Sequence, residues 1–460
     1  MKRLLLLFVL LPFIANAQDS IHYTGCIFNK EDKALAPVKA RQLTRSYKSL
    51  PPRASLVQYC PTPESQGQYG TCTSWAIAYA ARTIMEAKKN GWTNPTMIKN
   101  ESFSPTFVYT KIKNSDDYNC QHGSSIYQGL KLLRDEGIPK KSTFFNYCAN
   151  YIPAIAEKEA ANYKIKDFYT LFWEDDNSAY KIETTKMAIS QGRPVIVAMD
   201  IYNSFDNATT VWNGVTDYKR GSHAMCVVGY DDDLYGGAFR IMNSWGTYWG
   251  DNGFIWIKYK DFGIHMECGY EMFLGHKKKT PKSPTLSGSM KIKLATKGYM
   301  SAKLTWEDYR YIYHVEKKYP SGTRYRILLS NNEPAYVYVI GADMSGSLDL
   351  LFPPNKQTSP ALVYASNNIA IPDEKWYIEM DNTVGTDYLC VLYSQEELPI
   401  DDILMRISVL QGTFPNKIYD VLGVDAAPNY NVKYESSSIA FSTSSEHVVV
   451  PIIVEIPHGK

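Results

Sequence analysis

Asn243-Ser244-Trp245-Gly246-Thr247-Tyr248-Trp249-Gly250-Asp251-Asn252-Gly253 follows the apolar run Phe239-Arg240-Ile241-Met242 and leads into Phe254-Ile255-Trp256-Ile257. Two short β-type runs joined by a Gly- and Trp-rich segment read as a hairpin. Asn243 stands where the first strand meets the loop. Upstream, Gly221-Ser222-His223-Ala224-Met225-Cys226-Val227-Val228-Gly229-Tyr230 sets one histidine at the head of another apolar, strand-like run. Further back, Gln66-Gly67-Gln68-Tyr69-Gly70-Thr71-Cys72-Thr73-Ser74-Trp75-Ala76 precedes a strong helical pattern over 77–85. That pattern puts Cys72 at or just before a helix N-terminus, where free backbone N–H groups and the macrodipole favour a thiolate. Alone, each block has an ordinary reading: aromatic hairpin packing, a structural histidine, a cross-linked cysteine.

Together the blocks run in the order Cys, His, Asn, with His223 151 residues past Cys72 and Asn243 a further 20. The chain resembles the papain-like cysteine peptidases, whose His and Asn lie roughly 130–150 residues downstream of the nucleophile. Gln-Gly-x-x-Gly-Thr-Cys, His-Ala-x-x-x-Val-Gly-Tyr and Asn-Ser-Trp-Gly-x-x-Trp-Gly-x-Asn-Gly carry the resemblance, which covers about Leu50 to Gly275. It implies an α+β fold with a helical lobe and a β-rich lobe over 51–277. It further implies Cys72 as nucleophile, His223 as general acid/base, Asn243 as the residue orienting the ring, and Gln66 as side-chain donor of the oxyanion hole. Trp245 is expected to shield the Asn–His hydrogen bond, and Gly123 to pair with substrate backbone. Two positions depart from the pattern: Thr73 replaces the usual Trp after the nucleophile, and Tyr69 replaces a cysteine, removing one family disulfide. The other left-lobe bridge is expected between Cys120 and Cys148, and Cys226 is expected to be a buried free thiol.

At the N-terminus, Lys2-Arg3, an apolar run to Ile14 and Ala15-Asn16-Ala17 read as a secretory leader cleaved after Ala17. The expected location is therefore periplasmic or secreted, with no membrane span elsewhere in the chain. Export makes disulfides the default for the eight cysteines. The segment 18–50 is too short for the helical inhibitory segment of many relatives, so the enzyme is expected either to be made active or to be restrained from elsewhere, such as the C-terminal half. A formal net charge of +2 gives no electrostatic case for a nucleic-acid partner. The stretch 278–289, rich in Lys, Pro, Ser and Gly, reads as a linker. Beyond it, 290–460 carries short β-branched and aromatic runs at sandwich-like spacing. The run from Leu328 to Ile340 followed by Leu351-Phe352-Pro353-Pro354 resembles an accessory β-rich domain of unknown function, expected to be all-β, with an unknown partner.

The expected activity is hydrolysis of peptide or protein substrates through a thioester acyl-enzyme, with no metal and no cofactor. Two alternatives use the same groove: a catalytically inactive peptide-binding protein and an acyl transferase.

Overall fold

The computed structural model describes residues 22–41, 50–275, 284–364, 367–446 and 448–460. The leader expected at 1–17 and most of the lysine-rich start of the linker lie outside them. The linker itself is shorter than expected, because Leu286–Leu294 is already a strand.

The first lobe is organised around one helix. Cys72–Ser74, a π-type segment Trp75–Arg82 and Thr83–Asn90 run on without a break. Every residue from Cys72 to Ala87 is buried. Such all-round burial marks a central helix, and Ala76, Ala78, Ala80 and Ala81 let neighbours approach its backbone closely. Surrounding helices begin at side-chain caps: Ser104 accepts from the Phe107 N–H with Pro105 behind it, and Ser125 accepts from the Gln128 N–H. Cys120 and Cys148 are bonded, with their Cα atoms 5.7 Å apart.

The second lobe is an eight-stranded sheet. Its main path runs Asp167–Trp173, Met266–Phe273, Val195–Tyr202, Lys219–Asp231, Ala238–Met242, Phe254–Lys258 and Val211–Trp212. Met199 pairs with His223, and Cys226 with Met242. The histidine strand thus lies beside the strand that ends just before Asn243.

The C-terminal domain packs a seven-stranded sheet on an eight-stranded one. In the strand Ala335–Ala342, Val337 and Val339 face the core between the sheets. Tyr336, Tyr338 and Ile340 face outward into a second apolar cluster shared with the peptidase lobes. A period of two with both faces buried explains why this run is apolar throughout. The expected all-β character needs correction. Helices Ile400–Val409 and Phe414–Leu422 cover the outer face through Ile403, Ile407, Phe414 and Ile418. Among the described residues, no helix is long and apolar enough to cross a membrane.

The seam between the domains holds a buried ionic set. Arg193 Nη1 meets Glu271 Oε1 at 2.7 Å, the Tyr364 hydroxyl donates to Glu271 Oε2, and Arg193 Nη2 donates to the Val363 carbonyl. Glu271 is fully buried. Arg193→Met strands that carboxylate, and is expected to cost about 3–5 kcal/mol, read as a fall in the thermal denaturation midpoint. Replacing both partners with apolar residues should recover most of the loss.

Candidate active site

Thr71 is the residue before the central helix and makes no side-chain cap. The first helical residue, Cys72, therefore sits among free N–H groups at the positive end of a long helix. Burial is complete and pushes its thiol up to about 11, against N–H groups of Ala224, Thr73 and Gly25 that favour the thiolate. Ala224 directly follows His223, so the sulfur lies against the histidine strand. Thr73 donates its hydroxyl to the Ser124 carbonyl at 3.0 Å, tying the helix start to the opposite wall.

His223 Nε2 lies 2.7 Å from Asn243 Oδ1. Its Nδ1 is buried with no hydrogen-bond partner. Burial lowers the imidazole to about 4, against the raising effect of the Asn243 bond. The Trp245 ring lies against this histidine, with its centroid 4.6 Å from the His223 ring. Gln66 is held from both sides. Its Oε1 accepts from the Ser244 hydroxyl at 2.6 Å, and its N–H donates to the Ser244 carbonyl. The structure therefore brings Cys72, His223, Asn243, Gln66 and Trp245 into one groove.

At the position expected to pair with substrate backbone, the Gly123 N–H donates to the Tyr109 hydroxyl at 3.0 Å. Its neighbour Ser124 pairs with the chain's own residues 25–27: its N–H donates to the Gly25 carbonyl, and its carbonyl accepts from the Ile27 N–H. Gly123 is floor, at φ +82°, where a Cβ would meet the Gly25 carbonyl at 2.5 Å.

Those contacts reveal what composition and spacing left out: the groove is filled by the chain's own residues 22–27. His22 stacks on Trp245 at 4.5 Å, and the Tyr23 carbonyl accepts from Gln66 Nε2 at 3.1 Å and Trp245 Nε1 at 3.2 Å. Gly25 and Cys26 donate to the Ser222 carbonyl. A Cβ on Gly25 would lie 2.1 Å from the Gly70 carbonyl, so only glycine fits there. The available signal was this set of glycines, 25, 70 and 123, whose backbones meet across the groove.

The remaining cysteines depart from the exported default. Cys26, Cys60, Cys226, Cys268 and Cys390 are free and buried, as is Cys72. They pack as small apolar groups, and Cys226 is the free thiol expected on the histidine strand.

Residues 53–274 match the family model described as papain family cysteine protease, and residues 318–397 match a domain of unknown function (DUF4384). The chain is 27% identical over 211 residues to an uncharacterized peptidase C1-like protein of Acanthamoeba polyphaga mimivirus, covering 42% of this chain and 63% of that protein. It is 28% identical over 222 residues to cathepsin J of Mus musculus, covering 46% of this chain and 60% of that protein. The chain thus spans less than two thirds of these relatives' length. Among solved structures, xylellain, a cysteine protease from Xylella fastidiosa, aligns with a TM-score of 0.44 at 22% identity, covering 55% of this chain and 96% of that one. Residues 53–274 thus form a papain-like cysteine protease domain.

Proposed function

We propose that the chain hydrolyses peptide bonds, with Cys72 as nucleophile, His223 as acid/base and Asn243 holding the imidazole. The observation that carries this reading is the His223 Nε2–Asn243 Oδ1 contact of 2.7 Å, with Nδ1 left unpartnered on a strand whose next N–H bears on the Cys72 sulfur. Asn243 fixes the tautomer and the ring plane, leaving Nδ1 to exchange a proton with the thiol. The thiolate then attacks the substrate carbonyl carbon, and the C=O electrons move onto oxygen. The proton held on Nδ1 passes to the leaving amine as the thioester forms. Water hydrolyses the thioester and restores the thiol.

Gln66 Nε2 is the natural donor to the developing oxyanion, since its amide is oriented by Ser244 and already binds a carbonyl, that of Tyr23. Gln66→Ala is expected to lower kcat by about 10²–10³ with little change in KM, measured on a fluorogenic peptide. Trp245 lies against the imidazole and so shields the His–Asn bond from water. Action outside the cytosol follows if the leader expected at 1–17 operates.

The test is a thiol-directed epoxide. One equivalent bound at Cys72, with loss of peptide hydrolysis, supports the reading. Tight peptide binding without label or hydrolysis would make the groove a binding site only.

A further inference from the structure

We propose that the C-terminal domain is the clamp that holds residues 22–40 over the thiol, so that opening the seam between the domains uncovers the groove. This rests on the peptidase reading, because it assigns a regulator to that same site.

The strap has two parts with different holds. In the groove, residues 22–27 are retained by backbone hydrogen bonds and one stacked ring. A short helix, Lys30–Leu35, then crosses the first lobe, with Asp32 accepting from Gln128 and Lys33 paired with Glu174. Beyond it the strap enters the seam, where its bonds alternate between the two domains. The Pro37 carbonyl and the Lys39 N–H pair with Thr170 of the peptidase sheet. Between them, the Val38 N–H donates to the Gln357 carbonyl and its carbonyl accepts from the Ser359 N–H, both in the C-terminal domain. Gln357 also donates from Nε2 to the Ala34 carbonyl. The Lys39 ammonium sits 3.6 Å above the Tyr364 ring, and Tyr364 in turn binds Glu271. Ala40 is buried in the apolar core of the C-terminal domain.

Both backbone groups of Val38 and the seat of Lys39 therefore depend on the second domain. Removing that domain hands the Val38 groups to water and takes away both hydrogen bonds and the apolar seat of Ala40, which weakens the hold on the strap. The seam also contains a cavity of about 480 Å³ lined by Lys166, Arg193, Phe273, Tyr336 and Val363, among others. It is thus not packed shut like a core, and a joint of this kind has room to open. Root and groove are parts of one continuous strap, so a change at Val38 shifts the occupancy of Gly25 over the sulfur.

The experiment compares the full chain with Ser359→Pro, which deletes the donor to Val38, and with Gln357→Ala, which removes one exposed amide and leaves the loop backbone intact. Gly25→Val is the reference for an unseated strap. Hydrogen exchange of the Gly25, Cys26 and Ile27 amides is read in a Cys72→Ala background, and epoxide labelling of Cys72 in the native background. Faster exchange at those amides, with labelling accelerated about 5–150-fold toward the Gly25→Val value, is expected. Fast exchange at 36–40 with unchanged protection at 25–27 and unchanged labelling would overturn the clamp, since the strap would then hold itself. Fast exchange at 25–27 with no label on Cys72, even in Gly25→Val, would overturn the catalytic reading while leaving the clamp standing.

Discussion

Cys72→Ala is expected to abolish the proposed peptide hydrolysis, by on the order of 10⁴–10⁶ in kcat, while leaving the fold and its thermal midpoint nearly unchanged. Loss of a nucleophile that acts jointly with its base removes the covalent route entirely, and only binding and oxyanion stabilisation remain. The fold tolerates the change because Cys72 opens the central helix, where alanine is a better helix former than cysteine. His223→Ala should cost about as much, since neither group works without the other. Asn243→Ala should cost less, because it frees the ring without removing it. Steady-state kinetics with melting curves for each variant separates lost chemistry from lost structure.

Gly25→Val is expected to raise the reactivity of Cys72 toward iodoacetamide at pH 7 by at least about 10²-fold. With the strap seated, burial holds the thiol at about 11 and the imidazole at about 4, so both are neutral at pH 7. A thiol titrating there is ionised in about one molecule in 10⁴ at pH 7, against about 3% for an unperturbed cysteine. Valine cannot occupy position 25, where a Cβ meets the Gly70 carbonyl. The displaced strap lets water reach both groups, and solvation with the adjacent helix terminus favours the thiolate–imidazolium pair. The sign is fixed by which form burial penalises. In the native chain, reactivity should climb about tenfold per pH unit up to about pH 11; in the variant it should level off several units lower.

The chemistry-bearing residues were legible because each sits at a break between two periodicities. Cys72 lies where a Gly-rich loop becomes a helix, His223 opens the buried part of the strand Lys219–Asp231, and Asn243 directly follows the strand Ala238–Met242. The strap was not legible for a physical reason. It is held largely by main-chain hydrogen bonds, and these leave no apolar period in Tyr23-Thr24-Gly25-Cys26. The same holds for Ser124, whose backbone pairs with residues 25–27 while the Gly123 N–H donates to the Tyr109 hydroxyl. The two helices of the C-terminal domain did carry a signal, with Ile400, Ile403 and Ile407 on one stripe and Phe414, Ile418 and Leu422 on the next. Short β-branched runs on either side masked it. The cysteines depart from the expectation drawn from the leader: export would favour disulfides, yet most of these thiols are buried and unbonded, as apolar filler.

The most direct measurement is intact-mass analysis of the Gly25→Val chain after exposure to a peptidyl epoxide, run beside a peptide-library digest of the same sample. One adduct on Cys72, absent from the Cys72→Ala and His223→Ala partners, with cleavage products that vanish as the adduct forms, is the expected result. A chain that binds the library yet releases no products, or carries its adduct on another cysteine, would contradict it.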